Sequence, residues 1–309
     1  MKITLGPVLF NWPADKWRDH HFRIADEADV DVVHVGEVVC AKRMPFFEEV
    51  LPEVVERLTA AGKEVVFSTL ALVMNRAERK AVEAVCAMAD EALVEVNDIS
   101  ALSRLAGRPH IVGPFVNVYN ETTLDWFARR GARRVCLPPE LGGEAIRTLT
   151  AAAREAGTAT EVLVFGRMPL ALSARCYHAR AHNLPKDGCQ FVCEKDHDGM
   201  DLKTLDGESF LAVNGIQTMS HACLNLAGEI GTLKEMGVEA VRLSPHDCDM
   251  VEVAATFRDL AEERIDEAEA MARLGALGLP FPFANGYFHG KPGAEWIDRL
   301  VDSAAPVAG

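Results

Sequence analysis

No stretch of the 309 residues approaches the roughly 18 uninterrupted apolar residues that a membrane span requires. The opening MKITLGPVLF has neither the apolar core nor the small-residue cleavage site of a secretory leader. Positive charge is in deficit, with 32 Lys and Arg against 46 Asp and Glu and a formal net charge of -14. No long-range field therefore gathers polyanions, which argues against nucleic acid as an obligate partner. These absences predict a soluble, cytoplasmic protein with no nucleic acid and no integral membrane segment. Also missing are C-x-x-C, H-E-x-x-H and G-x-S-x-G, the local signatures of dithiol redox, zinc-peptidase and serine-hydrolase chemistry. No internal repeat or low-complexity linker divides the chain.

What is present is a regular alternation. Short β-rich runs begin at Lys2, Asp31, Glu64, Glu91, His110, Ala132, Ala159 and Glu239, and amphipathic stretches of about helical length follow them. Phe47, Val50, Leu51, Val54, Val55 and Leu58 recur at helical spacing, predicting one helix over 46–61 that Gly62 stops. A long charged helix is predicted over 250–274. Eight βα units in about 250 residues favour a closed barrel over an open sheet. The predicted fold is an α/β, (β/α)8 TIM-like barrel, complete or distorted, forming a single domain over 1–309. The alternation breaks once, at 170–225, after the seventh strand. There an irregular loop precedes strand-like runs separated by Asp206-Gly207 and Asn214-Gly215, so a small antiparallel insertion is expected on the rim where barrel enzymes do chemistry.

That insertion holds RCYHARAHNLPKDGCQFVCEK, with Cys176, Cys189 and Cys193 in one polar loop. In a reducing compartment clustered thiols point to metal or redox chemistry more than to disulfides. Cys40, just past the second strand on the same rim, is the best-placed fourth thiol, and Cys248, near the eighth strand end, is the reserve. Cys86, Cys136 and Cys223 sit in apolar runs and read as core. Spacing alone leaves an iron–sulfur cluster, a structural zinc, and thiols that simply pack in the loop all open. His178, His182 and His197 could contribute to a mixed thiolate–imidazole site. Arg175, Arg180, Lys186, Lys42 and Arg43 either offset anionic thiolates or form a solvated surface. Pocket candidates at strand ends are Glu37, Asn97, Asn117, Glu140, Arg167 and His246. Arg167, Glu37 and Asn117 stand out as substrate-binding candidates, Arg167 because its fork suits a carboxylate. No catalytic residue is assigned.

Four segments, GRMPLALSARCYHARAHNLPKDGCQFVCEKDHDG, GEVVCAKR, LGPVLFNWP and FANGYFHGKPG, resemble the collagenase-like peptidase family, specifically its branch in oxygen-independent ubiquinone biosynthesis. The resemblance spans essentially the whole chain. It implies a 4Fe-4S cluster held by Cys40, Cys176, Cys189 and Cys193. It also implies a heterodimer with the sister protein UbiU, help from the lipid-binding UbiT, and a prenylated aromatic substrate hydroxylated with prephenate as the oxygen donor. Competing expectations are a metal-dependent hydrolase, an RNA hydroxylation factor of the same family, and a scaffold whose cluster is structural.

Overall fold

The computed structural model describes residues 1–105 and 107–298; the expected domain limits run on to 309, and positions 106 and 299–309 lie outside the described residues. Eight parallel strands close a ring: β1 (Lys2–Leu5), β2 (Val32–Val35), β3 (Glu64–Ser68), β4 (Leu93–Val96), β5 (His110–Val112), β6 (Ala132–Cys136), the first half of β7 (Ala159–Leu172) and, after three strands outside the ring, β11 (Ala240–Leu243). β11 pairs with β7 on one side and β1 on the other, which completes the barrel. The outer layer is α1 (Ala14–Glu27), α2 (Met44–Phe47), α3 (Leu51–Ala60), α4 (Arg76–Ala87), α5 (Leu102–Leu105), α6 (Glu121–Ala128), α7 (Gly143–Glu155), α9 (Ile230–Met236), α10 (Met250–Ala261) and α11 (Glu267–Ala276), with the five-residue α8 (Tyr177–Ala181) in the insertion. The fold is the expected (β/α)8 TIM barrel with extra strands outside the ring.

Two helix expectations are corrected. The stretch 46–61 is α2 and α3 rather than one helix. Pro52 has no N–H to give and its ring crowds the carbonyl four residues back, so the helix restarts with Pro52 in its first turn. The stretch 250–274 is also two helices: Glu263 turns left-handed at φ 60°, and the Asp266 side chain accepts from the Glu269 N–H to start α11. Sequence periodicity ran across both breaks because the apolar spacing resumes in phase.

β7 is longer than expected because it serves two sheets. Its first half pairs in the ring, and its second half pairs antiparallel with β10 (Gln217–Asn225). The departure is at Gly166, where φ is +122° and a Cβ would lie 2.6 Å from the Ser244 Cβ, so only glycine lets the strand leave the ring here. β8 (Met200–Lys203), β9 (Ser209–Asn214) and β10 form the expected antiparallel insertion, turning at Asp206-Gly207 and Asn214-Gly215. The short β12 (Phe283–Ala284) pairs with β10. In the terminal GYFHGKPG segment, Phe288 accepts the Gly143 N–H at 2.9 Å, so it docks on the start of α7.

Polar and charged strand residues form a buried layer inside the ring. Arg242 of β11 reaches across the barrel to Glu95 of β4 at 2.5 Å and bonds Glu161 of β7 from Nε at 2.8 Å. Arg134 pairs with Glu161 at 2.9 Å, and Thr4 donates to the same carboxylate. Ser68 donates to Glu95 at 2.7 Å, with His34 at 3.4 Å. All seven are buried, and two carboxylates balance two guanidiniums. Burial alone would raise the Glu161 carboxyl, but Arg242 and Arg134 overcome it and hold it down to about 2. Glu95 is likewise held well below the usual range against its burial, chiefly by Arg242.

Removing one partner of a buried ion pair strands the other, so Arg242→Met is expected to cost about 3–5 kcal/mol in urea denaturation; a loss under ~1 kcal/mol would contradict the pairing. A carboxyl with a depressed folded pKa stabilises fully above its unfolded value near ~4.3 and loses that contribution as pH falls toward the folded value. The urea midpoint is therefore expected to drop between about pH 4.3 and 2, and to drop less steeply in Glu161→Gln.

Candidate metal centre

The chain leaves β2 into the loop that presents Cys40. Glu37 is buried and uses its carboxylate there, accepting the N–H groups of Val39 at 2.7 Å and Cys40 at 2.8 Å. It therefore shapes the thiol loop. Cys40 starts a short turn over Ala41–Arg43, which carries Arg43 inward. That side chain is 2% exposed and donates from Nη1 to the Leu9 carbonyl and from Nη2 to Asn214 Oδ1, both at 2.8 Å, and its charge acts on Cys193. Its nearest carboxylate oxygen, on Glu37, is 4.0 Å away, and its Nε is buried without a partner.

The insertion supplies the other three thiols. Cys176 caps α8, its Sγ accepting the Ala179 N–H at 3.4 Å. Cys189 and Cys193 flank a reversal in which Gln190 and Phe191 are both left-handed, φ 49° and 52°, a costly pair for non-glycine residues. The Phe191 ring packs edge-on against Phe46 at 4.6 Å, and Lys42 donates to the Lys186 carbonyl at 2.8 Å, tying the loop to the Cys40 segment.

The result is one small, enclosed cavity of about 20 Å³ lined by Cys40, Cys176, Cys189 and Cys193, together with Arg43 and His178. A metal bonded to sulfur sits at ~2.3 Å, inside the distance a water must keep, so room for a water understates room for a ligated group. Burial pushes the Cys40 and Cys193 thiols up, and Arg43 pulls both down. Metal loading would release protons from these sulfurs to solvent and leave thiolates facing the Arg43 cation. Four soft donors and a buried guanidinium suit an anionic metal–thiolate group; no three of the four sulfurs lie within 4.8 Å of one another, wider than a single tetrahedral ion needs.

The remaining candidates fall elsewhere. Cys248 lies apart from the four, in a cavity of about 310 Å³ with Trp12, Lys16, His20 and His246, its thiol pushed up to about 12 by burial. Cys86, Cys136 and Cys223 are core residues, as expected. His197 faces Lys16 and Asp247, and His182 is exposed. Arg167 is buried with Nη1 on the Ser220 carbonyl at 3.1 Å and its guanidinium over Phe281 at 4.2 Å; its N–H donates to His246. Asn117 and Glu140 line an open cleft of about 250 Å³. Asn97 borders a larger, mainly apolar one of about 500 Å³ with Phe115, Trp126 and Ile99. Sequence reading missed the barrel's charged layer and the position of Arg43. Charged residues in the middle of apolar strand runs, such as His34, Arg134 and Arg242, were the available signal for the first.

The model of peptidase family U32 matches residues 17–298. Among solved structures, a tryptophan synthase complex from Pyrococcus furiosus is 14% identical over 88% of this chain and 95% of that one, with a TM-score of 0.41. A type I 3-dehydroquinate dehydratase from Clostridium difficile is 14% identical over 52% of this chain and 74% of that one, with a TM-score of 0.35.

Gly215 couples the hairpin to the site. At φ +62°, a Cβ there would lie 2.7 Å from Arg43 Nη2. Gly215→Ala is expected to cost about 1–3 kcal/mol in urea denaturation by displacing Arg43. Gly207→Ala, at φ +93° with nothing within 4 Å, should cost only about 1 kcal/mol. Equal losses would mean that strain alone matters.

Proposed function

The chain belongs to peptidase family U32, and we propose that within it this protein is a UbiV-like iron–sulfur subunit of an oxygen-independent hydroxylase acting on prenylated aromatic ubiquinone precursors, paired with UbiU. The observation that carries the cluster is the buried Arg43 guanidinium beside four thiols in one cavity. With neutral thiols, Glu37 at 4.0 Å is the carboxylate left to balance that charge, whereas thiolates sharing a metal core would bring negative charge into its own cavity. Cys40, Cys176, Cys189 and Cys193 would hold a 4Fe-4S cluster. The substrate, the UbiU and UbiT partners and the prephenate donor rest on the sequence resemblance.

A bound cluster would supply electrons or a Lewis-acid surface for an oxygen transfer that side chains alone do not provide. The chain's own residues have simpler tasks. Glu37 fixes the Cys40 loop through two N–H groups. Arg43 balances charge and ties that loop to the insertion. The apolar cleft bounded by Phe115, Trp126 and Ile99 suits an aromatic ring with an apolar substituent, at a volume within the usual range for small-molecule sites. No helix among the described residues is long and apolar enough to cross a membrane. A polyprenyl tail would therefore be handed over by a lipid-binding partner such as UbiT.

Anaerobic purification is expected to give a brown protein with about four irons per chain, and Cys176→Ala to lose both iron and colour. Zinc in place of iron would favour a metal-dependent hydrolase instead. With UbiU, a prenylated phenol and prephenate under argon, hydroxylated product is expected; no product with both clusters intact would overturn the hydroxylase assignment.

A further inference from the structure

The clefts of about 500 Å³ and about 250 Å³ lie side by side on the strand-end rim, and Phe115 lines both. It also lines a small apolar cavity of about 20 Å³ at the barrel mouth, with Arg242 and Ser244. Local structure fixes it there. Gly113, just past β5, packs so close to the end of β4 that a Cβ would lie 1.8 Å from Asn97 Oδ1. Pro114 opens a short turn over Pro114–Val116, and Asn117, left-handed at φ 62°, ends it. The two clefts differ in character. Ile99 and Trp126 wall the larger with Val116 and Phe127, while Asn117, Tyr119 and Glu140 give the smaller its hydrogen-bonding groups. Four exposed large apolar side chains, Ile99, Tyr119, Trp126 and Leu170, gather at these clefts, and such a patch marks a recognition surface. Tyr119 donates to Glu140, which uses one of the roughly four acceptor positions of a carboxylate. The remaining ones suit a hydrogen-bond donor and disfavour an anion.

We propose that the two clefts form one amphipathic groove for a phenol carrying a single apolar chain, with Phe115 as its specificity-determining residue. The phenol ring stacks on Phe115, the chain runs toward Trp126 and Ile99, and the ring hydroxyl reaches Glu140 and Asn117. This deepens the hydroxylase reading and rests on it for the choice of a phenol. Neither cleft alone satisfies such a ligand: the larger offers apolar area for the chain, and the smaller offers the acceptor for the hydroxyl. Phe115 joins them, and it holds the ring beside the barrel mouth, where this fold gathers its chemistry.

Binding to the full chain tests this without turnover. Para-hexylphenol is expected to quench tryptophan fluorescence, with the response lost in Trp126→Phe, and to bind about tenfold more weakly to Phe115→Ala. Phe115→Tyr keeps the aromatic face and should restore affinity, which separates lost stacking from a misfolded chain. Para-hexylbenzoate should bind about tenfold more weakly than the phenol, a gap that Glu140→Gln narrows. Equal affinity for phenol and benzoate in the native chain, or hexylphenol binding indifferent to Phe115→Ala, would overturn the proposal. No hexylphenol binding, with association of the sister subunit lost in Phe115→Ala, would overturn it in favour of a protein-contact surface. Hydroxylated product made at the native rate by both Phe115→Ala and Glu140→Gln would remove the groove and leave the hydroxylase reading standing. The expected binding pattern in a chain that yields no product would sink that reading and uphold the groove.

Discussion

The Arg43 guanidinium, buried at the cavity that four thiols line and tied to a backbone carbonyl and an amide, is the interaction on which the site depends. Taking such a charge out of water costs several kcal/mol even after relaxation. Its hydrogen bonds to Leu9 and Asn214 recover part of that cost but bring no negative charge, and the Glu37 carboxylate stands 4.0 Å off. The same three contacts bring together the loop after β1, the loop after β2 and the β9–β10 hairpin. Holding the cysteine loop in place and charging its cavity are thus the work of one side chain.

The barrel beneath solves a related problem differently. Arg242, Arg134, Glu95 and Glu161 are as deeply buried as Arg43, but they balance one another without outside help. That self-contained layer closes the ring across opposite strands and leaves the rim free to carry function. β7 connects the two regions, since one half is a barrel stave and the other is the base on which the insertion is built.

Much of this could be read from the sequence, because barrel strands are short apolar runs and the eight of them were spaced by helical segments. The insertion declared itself by Asp206-Gly207 and Asn214-Gly215, and three cysteines declared themselves by proximity. Cys40 and Cys248 both follow strand ends, and periodicity does not say which way a rim loop turns; Glu37 decides it for Cys40 by gathering the loop's N–H groups. Arg43 was visible only as a basic residue near a thiol, because its burial depends on Leu9, 34 residues back, and Asn214, 171 residues on. Arg167 was singled out because its fork suits a carboxylate; in the fold its Nη1 is on the Ser220 carbonyl and its guanidinium lies over Phe281, while its Nε is buried without a hydrogen-bond partner.

The most direct measurement compares the stability cost of Arg43→Met in metal-loaded and metal-stripped protein by urea denaturation. If the guanidinium is matched to an anionic metal–thiolate group, the substitution should cost more in the loaded protein, by about 1.5–3 kcal/mol, the worth of a hydrogen bond to a charged partner. Equal costs in the two states would mean that Arg43 serves only the loops it ties together, and the charge argument for a metal centre would fall.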